Sequence, residues 1–301
     1  MPRKTLDMPQ DFSIADARPA DGGGKIRVLV TGAAGRIGSY FAEHNRDRYT
    51  LRLMVRPGDN TDKIAGLGEV VKADLSDLAA LGRAMTDINV VVHMAGDPNP
   101  SATWNDLLQT NIIGTYNTLI AAKAAGVRRV IYASSIHAVS GYPADVQVKT
   151  NEPVNPGDVY GVSKCFGEAM GRYMAEQEGL SVICLRIGGF QPPENLQKES
   201  GLHMLDAWVS HRDLDQLIRK CIDVPNLKFA IFHGLSNNRF KRLDISTARE
   251  LVGYEPQDDA TEVNEKVKDL HLAEQLSTHS QHDGAQKSGI REEVAALTGK
   301  S

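Results

Sequence analysis

Short apolar runs alternate with amphipathic segments along most of the chain. Seven runs are continuous and rich in β-branched residues, which is typical of strands buried on both faces of a sheet. Between them, apolar positions recur at helical spacing. The predicted strands are 26–31, 51–55, 69–74, 89–96, 128–135, 181–188 and 228–234, and the predicted helices are 37–46, 78–85, 104–125 and 159–178. Strands that alternate with helices predict right-handed βαβ units and a parallel sheet.

Both ends of the chain depart from this alternation. Residues 1–24 end in DGGG and contain little to bury, which predicts a flexible extension. The main α/β domain spans 25–189. From 190 to 256 a polar, proline-rich stretch leads into a helix from about Arg212, which predicts a small lobe interleaved with the sheet. Residues 257–301 form a polar tail, with an amphipathic helix around 263–276 and a disordered stretch over 277–289.

The composition narrows the classes of function. Hydrophobic residues make up 41% and charged residues 24%, and the formal net charge is −4. We therefore expect a protein that binds neither nucleic acid nor an anionic membrane. Three cysteines without C-x-x-C spacing predict free thiols and no metal site. No apolar run reaches about 18 residues, and the polar N-terminus lacks the apolar core of a secretory signal, so we predict a cytoplasmic protein.

A glycine-rich turn follows the first predicted strand and opens the first predicted helix. In TGAAGRIG, Gly32, Gly35 and Gly38 stand three residues apart. Glycines at this place allow a tight turn and a close approach of the backbone to a pyrophosphate, and the helix N-terminus directs its N–H groups at the negative charge. The spacing and its context predict a dinucleotide-binding site.

The end of the second predicted strand bears on which dinucleotide binds. An acidic residue there would accept a hydrogen bond from the adenosine 2′-hydroxyl and favour NAD. The strand ends instead in Val55 and Arg56, and Asp59 comes only later. Arg56, together with Arg36 of the glycine turn, offers a bidentate partner for a 2′-phosphate. We therefore favour NADP over NAD, with a solvated surface arginine as the alternative.

Residues at the ends of the next strands complete the predicted cofactor site. Asp74 ends the third strand, where its carboxylate or a nearby backbone N–H could contact adenine. As an alternative, Asp74 or Ser76 caps a helix. The small residues of HMAG let the chain pass the cofactor, whereas we expect His93 to be a packed side chain. The predicted cofactor-binding residues are Gly32, Gly35, Arg36, Ile37, Gly38, Arg56, Asp74, Leu75, Met94, Ala95, Gly96, Asn111, Tyr160, Lys164 and Ile187.

Tyr160 and Lys164 in VYGVSKCFGE form a candidate catalytic pair. Residues at i and i+4 share one helix face, and a nearby ammonium would lower the pKa of a phenol, which is ordinarily about 10. Lysine can also bind the nicotinamide ribose hydroxyls. Ser135 lies at the carboxyl end of the fifth predicted strand, where its hydroxyl can reach the same reacting oxygen. Together the three predict proton transfer coupled to hydride transfer.

Five motifs resemble those of the extended short-chain dehydrogenase/reductase family: TGAAGRIG, HMAG, TNIIGT, ASS and YGVSK, in this order. The resemblance covers about residues 25–256. It implies a Rossmann-type doubly wound parallel sheet of about seven strands with a small C-terminal substrate lobe. It also implies that Ser135, Tyr160 and Lys164 are the catalytic triad, and that Asn111 is a structural residue near the lysine.

Longer stretches resemble two groups within that family. NIIGTYNTLIAAKAAG, YGVSKCFGE, LRIG and HMLDAWVSHRDL are similar to uronate dehydrogenases, which oxidise the C1 hemiacetal of glucuronate or galacturonate to a lactone. HMAGDPNPSATW, SHRDLDQLI and LVGYEPQD are similar to a sister group that oxidises glucose 6-phosphate at the same carbon. The resemblance therefore implies NAD(P)-dependent oxidation of a uronate or sugar phosphate at C1.

The resemblance also implies a substrate pocket, formed by Ser134, Ile136, His137, Gly189, His203 and Arg212. Ile136 stands where uronate dehydrogenases have asparagine, Gly189 where they have serine, and His203 where an arginine binds the uronate carboxylate. A histidine is a weaker and pH-dependent partner for a carboxylate. As an alternative, the cationic side chains of this region could serve a phosphate or another anionic group; these are Lys198, His203, His211 and Arg212.

Two other functions remain alternatives. A nucleotide-sugar epimerase or dehydratase with bound NAD would share the motifs, although only about 70 residues follow Gly188 before the polar tail, which is short for a UDP-binding lobe. A non-enzymatic NADP-sensing regulator would keep the glycine turn but would not need both Tyr160 and Lys164. Apolar positions around 115–122 and 166–173 either pack within the chain or form a homodimer, as members of this family often do.

Overall fold

The computed structural model describes residues 24–198, 204–264 and 289–299. Its centre is a sheet of seven parallel strands: β1 (Arg27–Thr31), β2 (Thr50–Val55), β3 (Glu69–Lys72), β4 (Val90–His93), β5 (Arg129–Ser135), β6 (Ser181–Ile187) and β9 (Phe229–Gly234). Two short strands, β7 (Gly189–Phe190) and β8 (Trp208–Val209), pair with each other outside it. The spatial order is β3–β2–β1–β4–β5–β6–β9. The direction of winding reverses between β1 and β4, as in the Rossmann fold.

Helices cover both faces of the sheet. In chain order they are α1 (Arg36–Asn45), α2 (Leu78–Ala84), α3 (Trp104–Leu107), α4 (Gly114–Ala124), α5 (Val159–Glu176), α6 (Pro193–Leu196), α7 (His211–Asp223), α8 (Ser246–Val252), α9 (Ala260–Val263) and α10 (Gly289–Thr298). A π-helical turn (Leu108–Ile113) joins α3 to α4, and a 3₁₀ turn (Ile136–Val139) follows β5.

The strands bury apolar side chains on both faces, as the continuous apolar runs predict. In β1, Val28 and Val30 face the layer that contains α1, α7 and α8, whereas Leu29 faces the layer that contains α2, α4 and α5. All three side chains are fully buried. The doubly wound parallel sheet predicted from the sequence is therefore confirmed.

The structure differs from the predicted elements mainly at their ends. β3 and β4 end at Lys72 and His93, where the chain leaves the sheet toward a cleft. The predicted helix 104–125 consists of α3, the π-helical turn and α4. The helix predicted from about Arg212 begins at His211. Helices α9 and α10 lie in the predicted polar tail, while residues 1–23, most of the predicted helix 263–276 and residues 277–288 lie outside the described residues.

Candidate active site

A cleft opens at the carboxyl edge of the sheet, where the strand order reverses. It consists of a groove of about 600 Å³ beside the glycine turn and a cavity of about 300 Å³ beside the ends of β5 and β6. The two spaces adjoin, because several residues line both: Arg36, Ile37, Met94, Gly96, Asp97, Pro98 and Phe190. Ligands of doubly wound sheets bind at this kind of edge.

The glycine turn has the geometry that a dinucleotide pyrophosphate requires. Gly32 has φ of 66°, a left-handed conformation that side chains disfavour. A Cβ atom at Gly38 would lie 2.5 Å from the carbonyl oxygen of Gly32. Gly35 precedes α1 and provides no side-chain cap, so the first N–H groups of the helix lack a side-chain acceptor there. The residues present therefore fit a nicotinamide dinucleotide, with its pyrophosphate at the N-terminus of α1.

Arg56 and Asp59 meet at the end of β2 and line the same groove. The guanidinium of Arg56 donates to Asp59 Oδ1 at 3.2 Å, and its backbone N–H donates to Asp59 Oδ2 at 3.0 Å. The sequence pattern does not predict this contact, because Asp59 lies in the loop, four residues beyond the end of β2. The groove thus contains both an arginine and a carboxylate at the position that discriminates between the two dinucleotides.

Asp74 points into a turn instead of the groove, which is lined by its neighbours Ala73 and Leu75. Asp74 Oδ1 accepts hydrogen bonds from the backbone N–H and hydroxyl of Ser76, at 2.9 and 2.7 Å. The predicted helix cap by Asp74 or Ser76 is wrong, because Asp77 caps α2 by accepting from the N–H of Ala80 at 2.8 Å.

Ser135, Tyr160 and Lys164 converge on the 300 Å³ cavity. Ser135 ends β5, while Tyr160 and Lys164 lie one turn apart on α5. The hydroxyl of Ser135 lies near enough to that of Tyr160 to lower the pKa of the phenol. Lys164 Nζ donates to the carbonyl oxygen of Ala133 at 2.9 Å and lies 5.4 Å from the ring centroid of Tyr160. The sequence pattern therefore brings together the three side chains that it predicts.

Glycines allow α5 to pack close to the sheet, which brings Lys164 within reach of β5. A Cβ atom at Gly167 would lie 2.2 Å from the hydroxyl oxygen of Tyr132, and one at Gly171 would lie 2.8 Å from a methyl group of Val182. Any larger side chain at Gly167 would push the helix away from β5. The lysine would then lose its contact with the strand.

Burial dominates the protonation of the tyrosine and the lysine. It raises the pKa of Tyr160 to about 12; the hydrogen bond with Ser135 opposes this rise, and the carboxylates of Asp158 and Asp97 add to it. Burial also lowers the pKa of Lys164 to about 8, against the charge of Asp97. The expected fall in the tyrosine pKa is not found in the protein alone, because loss of water around the phenol is the largest effect on it.

A buried ion pair lies next to the predicted catalytic side chains. Arg186 of β6 donates to Glu168 of α5 through Nε and Nη2, at 2.9 and 2.8 Å. The side chains of Arg186 and Glu168 are 1% and 3% exposed. Ser134, which lines the cavity, donates its hydroxyl to Glu168 at 2.6 Å. Glu168 therefore connects α5, β5 and β6 at the floor of the cavity.

Asn111 contacts the loop after β4 instead of lining the cleft. Its Oδ1 accepts from the N–H of Asp97 at 2.8 Å, and its Nδ2 donates to the carbonyl oxygen of Asp97 at 3.0 Å and to the hydroxyl of Ser163 at 3.1 Å. The asparagine is 1% exposed. These contacts hold the loop of Asp97 against the helix that contains Lys164.

Asp97 is a residue of the site that the sequence reasoning did not single out. It lines both the groove and the cavity, and its charge acts on Tyr160 and Lys164. Its position directly after HMAG was the available signal. Phe190, directly after RIGG, was missed as well and also lines both spaces.

The predicted substrate residues divide into three groups. Ser134, Ile136, His137 and Gly189 line the cavity together with Ile187. Arg212 does not, because its Nε donates to Asp258 at 2.7 Å in a two-point ion pair, with its side chain 63% exposed. Asp215, on the same helix, pairs with Arg219. His203 lies outside the described residues.

Two general features of the described chain bear on other classes of site. Within residues 24–198, 204–264 and 289–299, no group of three or more His, Cys, Asp or Glu side chains is placed to hold a metal ion. In that same part of the protein, no helix combines the length and the apolar character needed to cross a membrane.

Comparison with known proteins identifies the family. Residues 28–225 match the profile of the NAD dependent epimerase/dehydratase family. An NAD-dependent glucose-6-phosphate dehydrogenase of Haloferax volcanii is 35% identical, over 78% of this chain and 94% of its own. An L-arabinose 1-dehydrogenase (NAD(P)(+)) of the same organism is 33% identical, over 79% and 99%. The crystal structure of uronate dehydrogenase from Agrobacterium tumefaciens is 33% identical, with a TM-score of 0.72 over 81% and 89%.

The chain therefore belongs to the NAD dependent epimerase/dehydratase family. The resemblance to extended short-chain dehydrogenases is confirmed, and so is the prediction of a nicotinamide-dependent enzyme. The groove at the glycine turn fits that class of cofactor.

Proposed function

We propose that the protein oxidises the C1 hemiacetal of a sugar to a lactone, with Ser135, Tyr160 and Lys164 as the catalytic residues. The observation that carries this proposal is their convergence on a cavity that adjoins the glycine-turn groove. Relatives named for dehydrogenation of glucose 6-phosphate, of L-arabinose at position 1 and of uronate support the choice of reaction.

The side chains divide the chemistry between them. A nicotinamide bound in the groove supplies the acceptor for the C1 hydride. Tyr160 takes the proton of the C1 hydroxyl, and Ser135 hydrogen-bonds to the same oxygen. Tyr160 acts as the tyrosinate in this transfer, and Lys164 stabilises that tyrosinate because Ala133 holds its ammonium beside the phenol. Asp97 lies where a carboxylate can accept hydrogen bonds from sugar hydroxyls next to C1.

Arg36 is the cation through which the site would select an anionic sugar. It lines both the groove and the cavity, and no other described side chain forms an ion pair with it. Among the described residues, the cavity is lined by one further lysine or arginine, Lys164, which is needed for catalysis. A phosphate or carboxylate on the sugar would therefore have Arg36 as its partner, in the place of Arg212, which pairs with Asp258.

The arrangement at β2 favours NAD⁺ over the NADP⁺ that Arg56 alone predicts. Asp59 can accept a hydrogen bond from a 2′-hydroxyl, and its charge would repel a 2′-phosphate. For Arg56 to bind that phosphate with both donors, its contact with Asp59 would have to break. We expect both dinucleotides to be used, with NAD⁺ preferred.

Initial rates of nicotinamide reduction test the proposal. The panel is glucose 6-phosphate, glucose, L-arabinose, glucuronate and galacturonate, each with NAD⁺ and with NADP⁺. Turnover of one sugar by the wild type, with loss of turnover in Tyr160→Phe, is expected. Conversion of a UDP-sugar without net nicotinamide reduction would replace the proposal with an epimerase. Cofactor binding that Tyr160→Phe leaves intact, with no turnover by either form on any substrate, would indicate a regulator.

We also infer that the protein forms a homodimer through α4 and α5. Val162, Phe166, Met170 and Tyr173 follow one another at helical spacing on α5, and each is exposed or half-buried. Tyr116 of α4 is 46% exposed and lies near enough to Tyr173 to contribute to the raised pKa of that tyrosine. A continuous apolar surface of this kind on two adjacent helices suits a self-complementary interface.

A further inference from the structure

An imidazole–carboxylate pair that the oxidation does not use lies at the wall of the cavity, where His137 is a lining residue and Asp158 is buried behind it. His137 Nδ1 and Asp158 Oδ2 are 2.6 Å apart, and both belong to segments that hold the catalytic groups. His137 follows Ser135 by two residues and lines the cavity, and Asp158 precedes Tyr160 by two. The carboxylate of Asp158 is fully buried and His137 is 12% exposed.

The contacts of Asp158 fix the position and tautomer of the imidazole. Asp158 caps α5, because its Oδ1 accepts from the N–H of Gly161 at 2.6 Å. Its Oδ2 accepts the hydrogen bond from His137, so the ring proton is on Nδ1. Nε2 is then the basic nitrogen of the ring. A carboxylate that orients an imidazole in this way is the arrangement that general-base histidines use in hydrolases.

The hydroxyl groups of Ser135 and Tyr160 belong to residues that line the same cavity. In the proposed oxidation the carbonyl oxygen of the lactone forms where Ser135 and Tyr160 bind the C1 oxygen. The backbone N–H of His137 donates to Ser135 Oγ at 3.2 Å, which orients that hydroxyl. Burial raises the pKa of Tyr160 to about 12, so its hydroxyl remains a donor at neutral pH. Paired donors at a carbonyl oxygen form an oxyanion hole.

We propose that the same cavity hydrolyses the lactone to the open-chain aldonic acid, with His137 as general base and Asp158 as its positioning residue. This inference rests on the proposed function, since the lactone is the product of C1 oxidation. The ring of His137 stands at 69° to that of Tyr160, with centroids 5.4 Å apart, and His137 lines the same cavity as Ser135 and Tyr160.

The reaction balances without any further reactant than water. His137 Nε2 takes a proton from water as its oxygen bonds to C1, and the carbonyl electrons move onto the oxygen held by Ser135 and Tyr160. The C1–ring oxygen bond then breaks. The ring oxygen takes the proton from His137 and becomes a hydroxyl group, while C1 becomes a carboxylic acid. No electrons are exchanged with the nicotinamide, so the lactone can be tested as a substrate in its own right.

The test supplies D-glucono-1,5-lactone and its 6-phosphate directly to the full-length protein. Acid release is followed in a pH-stat, with and without NADH, whose absorbance reports any reduction of the lactone. The wild type is expected to exceed the buffer rate by at least about tenfold, and His137→Asn to lower the catalysed rate by about 10²-fold or more. Asparagine at 137 can still donate to Asp158, which keeps the buried carboxylate paired.

Asp158→Asn provides the matched variant, because asparagine also caps helices well. Its amide would donate to Nδ1 and so stabilise the wrong tautomer of His137. The expected result is a lower kcat for hydrolysis with little change in KM, together with an unchanged far-UV spectrum. A merely structural role would change both parameters together.

Two outcomes would overturn the proposal. One is loss of the lactone at the buffer rate in the presence of the wild type, and the other is equal hydrolysis by wild type and His137→Asn. Either result would leave the dehydrogenase proposal standing if sugars still reduce the nicotinamide. Conversely, hydrolysis of the lactone without any dehydrogenase turnover would support this inference while contradicting the proposed oxidation.

Discussion

Lys164 is a charged side chain held inside the protein by one hydrogen bond, to Ala133. We predict that Lys164→Met abolishes oxidation yet stabilises the fold at neutral pH. Burial lowers the lysine pKa from 10.5 to about 8, so below pH 8 the ammonium costs about 3 kcal/mol of folding free energy, at about 1.4 kcal/mol per pH unit. Methionine has similar length and avoids this cost.

The pH dependence provides the control for that variant. Between about pH 8 and 10.5 the unfolded chain binds a proton that the folded lysine has released, so the wild-type free energy of unfolding rises with pH over this window. The advantage of Lys164→Met should therefore shrink as the pH rises. Urea unfolding of both proteins at several pH values measures it. A variant less stable than the wild type at pH 7 would contradict the prediction.

Asp59 and Arg56 decide the choice of cofactor in our second prediction. Asp59→Asn removes the charge that opposes a 2′-phosphate, so the ratio of kcat/KM for NADP⁺ to that for NAD⁺ should rise about tenfold, for a change near 1.4 kcal/mol. Arg56→Ala should lower the ratio. Asp62→Asn is the matched control, because Asp62 is a nearby acid that does not line the groove. An unchanged ratio in Asp59→Asn would remove Asp59 from the site.

At the scale of single residues, short motifs predicted best those site residues whose position follows from a nearby helix or strand. Tyr160 and Lys164 share a helix face, and Ser135 ends a strand, so their convergence follows from spacing and topology. Asp59 and Asp97 could not be placed in this way, because the loops that hold them have no period. Arg212 was misplaced because its partner, Asp258, lies 46 residues away in the chain.

Helix α5 depends on an ion pair whose partner is on a neighbouring strand. We predict that Glu168→Gln destabilises the protein by about 3–5 kcal/mol, because it leaves the guanidinium of Arg186 buried without a compensating charge. It should also lower kcat, since Glu168 holds Ser134 at the floor of the cavity. Chemical unfolding and initial rates measure the two effects.

Two further variants show whether the charge pair itself causes this effect. Glu176→Gln breaks an exposed pair on the same helix, with Arg172, and should cost less than about 1 kcal/mol. The double variant Glu168→Met/Arg186→Met removes both buried charges and should recover part of the stability lost in Glu168→Gln. A loss as small in Glu168→Gln as in Glu176→Gln would contradict the role given to the buried pair.

At the scale of elements, apolar periodicity predicted where strands and helices lie but not how they are interrupted. The predicted helix 104–125 contains a π-helical turn at Leu108–Ile113. Within this turn, the side chain of Asn111 accepts from the backbone N–H of Asp97 and donates to the carbonyl oxygen of the same residue. That requirement comes from tertiary contacts, which the helical pattern of the segment does not contain.

The whole molecule combines distant segments at one edge of its sheet. The glycine turn, the Asp97 loop and the proposed catalytic side chains come from residues 32 to 164, and the reversal between β1 and β4 brings them to a common cleft. This arrangement was predictable, because alternating strands and helices allow few topologies. The positions of the residues after Gly189 were less predictable, because these residues cross above the cleft in short elements that have little periodicity.

The surface of α4 and α5 leads to a prediction about assembly. The chain has a mass of 32.8 kDa, and light scattering after gel filtration should give twice that value. Val162→Glu and Tyr173→Glu should shift the mass toward that of the monomer, because each puts a charged side chain at a position that is 48% exposed in the proposed interface.

Leu251→Glu is the matched control, since Leu251 is 46% exposed but belongs to α8. If all three variants keep the mass of the wild type, the interface lies elsewhere; a monomeric wild type would show that the apolar stripe serves another purpose. Because α5 also contains Tyr160 and Lys164, dissociation of the dimer in Val162→Glu should lower kcat as well. A molar mass that falls to that of the monomer without any change in kcat would mean that each subunit works independently.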